Sequence, residues 1–255
     1  MKKLIKIILI DILKNKIVIA YTFIIAILAW SSFLLEDNSS KGLLTILNII
    51  LFTVPLVTIL FATIYIYNSS EFIELVVSQP VKRSKIWTSL FIAVTTALVI
   101  SFLIGAGLPL LIYSSNFVGF MMLIVGTLIT LVFTALAFLS SILTRDKARG
   151  IGLAILTWLL FALIFDGIVL FLLFQFSDYP IENAMVGITA LNPIDLARIQ
   201  ILLHLDVSAM MGYTGAIFKN SFGTQTGLFI SFFLLILWAI IPFLISLKKF
   251  NSKDL

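Results

Sequence analysis

Long apolar runs, broken by short clusters of lysine, arginine and acid, set the pattern of this chain. Six runs are long enough to cross a bilayer, roughly residues 17–35, 43–66, 86–113, 117–143, 151–176 and 228–247. A spanning helix needs about 20 residues, so the third to fifth runs have length to spare for tilt or extension. The pattern predicts an all-α membrane protein with six transmembrane helices in a single domain over residues 1–255. Pro55, Pro109 and Pro242 fall inside runs, where membrane helices tolerate a kink. Gly105, Gly107 and Pro109 weaken the third helix, as a hinge or, the preferred reading, as a close-packing site. The first run exceeds the apolar core of a secretory signal, about 7–15 residues, and further spans follow, so it reads as an uncleaved helix.

The segments between runs carry their own patterns. Residues 1–16 place Ile5, Ile8, Leu9 and Ile12 on one helical face and Lys3, Lys6 and Lys14 on another, an amphipathic helix for the inner membrane surface. The plainer alternative is a charged anchor before the first span. In the loop over residues 67–87, Asn68-Ser69-Ser70-Glu71 supplies a cap and an acidic first turn, predicting a short helix that Pro80 stops. Lys82, Arg83 and Lys85 follow it. A shorter loop, Thr144 to Gly150, joins the fourth and fifth spans. Residues 177–226 form a long loop, and loops beyond about 12–15 residues usually have structure or function of their own. Within it Asn192 is placed as an N-cap, Pro193 at N1 and Asp195 at N3 of a helix. Its polar groups form two stripes, Asp195/Arg198 and Gln200/His204. The apolar remainder needs cover from headgroups, from the bundle or from a partner.

Composition agrees with a membrane setting: 61% of residues are hydrophobic and 11% charged. The net charge of +5 reads as lysines marking one membrane face rather than as a nucleic-acid site. With the amino terminus inside, 14 of the 17 basic residues fall in inner segments, leaving Lys41, Arg198 and Lys219 outside. The positive-inside bias therefore puts both termini in the cytoplasm.

Candidate chemistry is sparse. No Gly-x-x-x-x-Gly-Lys-Ser/Thr pattern occurs, which excludes nucleotide hydrolysis through a P-loop. Cysteine is absent and His204 is the only histidine, so thiol catalysis, a Ser-His dyad, a His-Glu-x-x-His site and a soft copper cage all lack parts. His204 near Met210 or Met211 is a weak metal candidate; a packed histidine is the commoner case, and no metal site is assigned. Asp166 is the sole acid well inside a span, about 15 residues or roughly 22 Å from the inner end of its helix. An ionisable group there is costly and marks either a functional site or a paired, structural carboxyl. The inner loop suits docking of a cytoplasmic partner whose motion passes into the second and third spans.

The six-span layout, the amphipathic start and the loop segment Glu71 to Lys85 resemble the ABC-2 class of ABC transporter permeases, a type V exporter-like fold. That likeness implies a coupling helix seated on an ATPase subunit, with Glu71, Glu74, Ser78, Gln79, Pro80, Lys82 and Arg83 as ATPase-coupling residues. The stretches Ala190 to Gln200 and Met211 to Phe218, with the aspartate after Phe165, resemble the NosY family. That family supplies the permease used in maturing the copper sites of nitrous oxide reductase. The resemblance implies a bacterial inner-membrane homodimer with two copies of an ATPase. It also implies a periplasmic β-helical copper-handling partner seated on Asn192, Pro193, Asp195, Arg198, Gln200, His204 and Tyr213. No cofactor is expected on this chain; ATP and Mg belong to the ATPase.

Cuprous ion favours sulfur or imidazole ligands, yet the spans contain neither Cys nor His. The expected role is therefore to relay motion to a periplasmic copper carrier. A generic exporter of drug, lipid or glycan stays open, as does a proton-coupled transporter working through Asp166. An intramembrane enzyme would lack the necessary groups.

Overall fold

The computed structural model describes residues 2–36, 39–176, 187–205 and 225–252, with no strand among them. Among the described residues six helical segments are long and apolar enough to cross a membrane: Lys16–Leu35, Lys41–Asn68, Arg83–Tyr113, Phe117–Leu143, Lys147–Gln175 and Thr226–Ser252. In chain order the elements are α1 (Lys2–Leu13), α2 (Lys16–Leu35), α3 (Ser39–Asn68), α4 (Ser70–Val77), α5 (Arg83–Phe102) and α6 (Leu108–Tyr113). They continue with α7 (Phe117–Leu143), α8 (Lys147–Leu159), α9 (Phe165–Gln175), α10 (Pro193–Leu202) and α11 (Gln225–Ser252). Two spans are composite: a π-helical turn at Leu103–Gly107 joins α5 to α6, and another at Leu160–Ile164 joins α8 to α9.

Helix starts follow from local side chains. Asn15, Asn116, Asp146 and Asn192 each accept a backbone N–H at the start of α2, α7, α8 and α10. Each cap satisfies one of the donors that a helix start leaves unpaired. Ser69 precedes α4 without a side-chain cap, and its carbonyl accepts from Ile73 N at 2.9 Å instead. Helix α4 ends at Val77, ahead of Pro80. Both α3 and α11 run through their internal prolines, Pro55 and Pro242.

Helix α7 is the axis of the bundle. It packs against α3 and α11 on two sides and against α5, α8 and α10 elsewhere. In its most apolar window 67% of residues are buried, against 17% in the fifth and sixth spans, which therefore show most of their surface to the surroundings. Leu170, Phe171, Phe174, Phe229 and Phe233 are among the exposed apolar groups, as expected of surface meeting lipid. Hydroxyls inside α7 turn back on their own helix: Thr130 donates to Gly126 O at 2.8 Å and Thr134 to Thr130 O at 2.7 Å. Such bonds let polar side chains sit in a dry bundle without an unmet donor.

Helix α1 folds back with Ile8 and Ile12 buried and Lys2, Lys3 and Lys6 exposed, and it packs on α5. The apolar face foreseen for a membrane surface is thus largely spent on the protein itself. The third-span glycines are a packing site and also a π-helical turn. A Cβ on Gly105 would meet Thr22 O of α2 at 2.9 Å, so α2 approaches there backbone to backbone.

Candidate functional site

The α3–α5 connection, the α7–α8 loop and the end of α11 meet at the end of the bundle that carries most of the lysines. Glu71, Glu74, Ser78, Gln79, Pro80 and Lys82 are exposed and Arg83 is half-buried, while Ile73 is buried beneath α4. The expected ATPase-coupling side chains therefore lie on one accessible segment, beneath which Ile73 and Val77 pack on the core. Beside it a cavity of about 490 Å³ is lined by Ser70, Glu74, Tyr67, Arg145 and Lys147 over an apolar floor that includes Trp87 and Phe250. Trp87 is buried; its Nε1 donates to Ser246 Oγ at 3.1 Å and its ring stacks on Phe250, centroids 4.3 Å apart. These contacts tie the start of the third span to the end of the sixth.

Sequence reasoning missed Tyr67. Its hydroxyl lies 2.6 Å from Thr144 Oγ1 and 3.2 Å from the carbonyl oxygens of both Ser141 and Thr144. Next to it, Lys147 Nζ donates to Asn68 Oδ1 at 2.7 Å. The loop between the fourth and fifth spans is thus fastened to Tyr67 and Asn68, the last two residues of α3. A tyrosine at a span end is ordinarily an interface anchor, and no spacing in the chain pairs it with residues more than seventy positions away.

At the opposite end, α10 lies within the bundle, against α3, α7, α11 and the second π-helical turn. Pro193, Ile194, Leu196, Ala197, Ile199 and Ile201 are buried, so the cover this apolar helix needed comes from its own chain. Asn192 is fully buried and works in two directions. Its Oδ1 accepts from Ile194 N at 2.9 Å, while Nδ2 donates to Phe161 O at 2.9 Å and to Asp195 Oδ2 at 2.8 Å. Gln200 is also fully buried, with Nε2 donating to Ser231 Oγ of α11 at 2.6 Å and Oε1 without a partner among the described residues.

Asp166 meets this helix. One guanidinium nitrogen of Arg198, Nη1, donates to Asp166 Oδ2 at 3.0 Å and to Asp195 Oδ1 at 3.2 Å. Burial first, and then the neighbouring Asp166 carboxylate, push the Asp195 carboxyl up to about 7; Arg198 and Asn192 pull the other way. Two carboxyls share one cation, and a single proton makes the set neutral. A smaller cavity of about 240 Å³ adjoins Arg198, Asn48 and Phe52.

Of the residues assigned to a periplasmic partner, Asn192, Asp195 and Gln200 aim their polar atoms into the bundle. His204 is half-buried, with Nδ1 2.9 Å from Gln200 O and its ring 5.3 Å from that of Phe117. Tyr213, like Met210 and Met211, lies outside the described residues. Among the described residues no three His, Cys, Asp or Glu side chains gather as a metal site would need.

Comparison with known proteins adds two findings. A family model described as "ABC-2 family transporter protein" matches residues 43–255. The chain is also 26% identical over 210 residues to "Probable ABC transporter permease protein NosY" of Stutzerimonas stutzeri, covering 74% of this chain and 76% of that protein.

Proposed function

Because the chain belongs to the ABC-2 family of transporter proteins, a class of multi-pass bacterial inner-membrane permeases, we propose that it is the membrane subunit of an ABC transporter serving copper-centre assembly of nitrous oxide reductase. Two copies would pair with two copies of a cytoplasmic ATPase, which binds the ATP and Mg that this chain has no P-loop to hold. Both termini and α4 would face the cytoplasm, by the positive-inside bias.

The observation that carries the permease part of the reading is α4 with its flanks. It is a short, exposed, mixed-charge segment that joins two spans and rests on a tight array of inner-end contacts. A segment of that kind can take a push from a soluble motor and pass it on. The copper-centre part is supported by the likeness to a protein named as a probable NosY permease. On this reading the chain relays ATP-driven motion to a periplasmic copper carrier and does not conduct copper. The spans offer no Cys or His for a cuprous path.

Affinity purification of the chain in mild detergent from its native host, with mass spectrometry of what accompanies it, tests both parts. An ATPase with a periplasmic β-helical copper protein is the expected result. An ATPase alone would reduce the reading to an exporter of other cargo, and the absence of any ATPase would overturn it. Copper movement across liposomes in step with ATP hydrolysis would defeat the relay.

A further inference from the structure

We infer that Tyr67 is the positioning residue that hands motion of the coupling segment to the fifth span, through the loop between α7 and α8. The inference rests on the permease reading above and adds the route by which that motion leaves α4. The sequence alone suggested the second and third spans, which α4 joins directly. The contacts favour a third recipient.

Tyr67 stands at the end of α3, three residues ahead of α4. Its hydroxyl is held by Thr144 and by the last carbonyls of α7, as the distances above describe. Its ring lies against Gly150 in the first turn of α8, so closely that a Cβ there would collide with the ring and the hydroxyl. Asn68, the next residue, takes the ammonium of Lys147 from the same turn. Asp146 caps that turn by accepting from Arg149 N at 2.8 Å, which makes the start of α8 a stiff unit. Two adjacent residues of the α3–α4 junction therefore grip the start of α8, whereas α4 itself packs on α3 and α5, with Ile73 buried and Val77 half-buried.

The far end of α8, in the middle of that span, is a break in the regular helix. Leu160–Ile164 is a π-helical turn, and the Phe161 carbonyl in it bonds to the Asn192 side chain. A π-helical turn of this kind interrupts the regular ladder of the span and recurs at functional sites. Displacement of α8 along its axis thus arrives at the contact between that turn and the start of α10.

The chain has no cysteine, so introduced cysteines are its only label sites once any reactive cysteines of the accompanying subunits have been replaced. Leu34→Cys on α2, at a side chain 70% exposed, and Gly167→Cys on α9, where an added Cβ meets nothing within 4 Å, report the fifth span against the first. The co-purified transporter complex in nanodiscs is measured by pulsed dipolar spectroscopy without nucleotide and with a non-hydrolysable ATP analogue. The expected result is a nucleotide-dependent change in the distance distribution that is lost in Tyr67→Phe and in Thr144→Val and kept in Thr144→Ser. Gly126→Ala, a packing defect elsewhere, is expected to retain the change, which separates transmission from mere loss of stability. Tyr67→Phe with the full nucleotide-dependent change would overturn the inference, and so would a nucleotide-insensitive distribution in the otherwise unchanged labelled complex. Failure to recover any ATPase would instead overturn the permease reading on which it stands.

Discussion

The side-chain amide of Asn192 donates to the carbonyl oxygen of Phe161 at 2.9 Å, so one residue caps α10 and also satisfies the π-helical turn of the fifth span. Both ends of that bond are buried. Removing the amide would leave a buried carbonyl without this donor and strip α10 of its cap.

Asn192→Ala is therefore expected to cost about 2–3 kcal/mol, combining the loss of a helix cap with an unmet buried polar group. Asn192→Asp keeps an acceptor for Ile194 N but loses the donor to Phe161 O and sets a further carboxyl beside Asp195. It should be no better than alanine near neutral pH. Thermal or denaturant unfolding in mixed micelles would decide the matter; an Asn192→Ala variant within a few tenths of a kcal/mol of the parent contradicts it.

Asp195 predicts a pH dependence with a definite sign. Its carboxyl is raised from an ordinary value of 3.8 to about 7, mainly by burial. Between those values the folded protein holds a proton that the unfolded chain has released. This group's stabilisation is therefore fully present below about pH 4, shrinks as pH rises toward about 7 and changes little above that. Melting curves between pH 5 and pH 8 should show the parent losing stability with rising pH, and Asp195→Asn should flatten that slope. Parallel curves for the two proteins would remove Asp195 as the titrating group.

The spans were legible because a bilayer demands about 20 apolar residues in a row, and that demand leaves a long, unambiguous trace. Asn192 with Pro193 and Asp195 was legible as a helix start because capping is local chemistry. The location of α10 inside the bundle was not, since an all-round apolar helix is equally suited to lipid, partner or self. Nor were the π-helical turns, whose residues, Leu-Ile-Gly-Ala-Gly and Leu-Phe-Ala-Leu-Ile, have little in common. Asp166 was conspicuous as a lone intramembrane acid, but its bond to Arg198 joins positions 32 apart through tertiary structure. Tyr67 was invisible for the same reason.

Two glycines in adjacent spans should respond to alanine in opposite ways. Gly126 of α7 faces the fully buried ring of Phe102, and a Cβ there would overlap it. Overpacking of this kind costs about 1–3 kcal/mol, and the bundle axis has little freedom to shift. A Cβ on Gly152 of α8 meets nothing within 4 Å, so Gly152→Ala should gain up to about 1 kcal/mol from helix propensity alone. Paired unfolding measurements in one detergent test both; equal effects of the same sign would contradict the packing described for α5 and α7.

Arg198 sits between two carboxyls, and its removal is expected to be felt through them. Arg198→Ala leaves Asp166 and Asp195 facing each other without a counter-charge, a loss that protonation can relieve. The variant should therefore be less stable than the parent at pH 8 and recover part of the difference at pH 5. Removing Asp166 as well should also relieve it, so Arg198→Ala/Asp166→Ala is expected to be more stable at pH 8 than Arg198→Ala alone. About a third of each of these two side chains is exposed, which keeps the Arg198–Asp166 coupling to about 1 kcal/mol or less after screening. A double-mutant cycle at both pH values measures it. If the second substitution adds its full cost at pH 8, the guanidinium holds α10 by packing, and Asp166 then has no share in fixing α10 in the bundle.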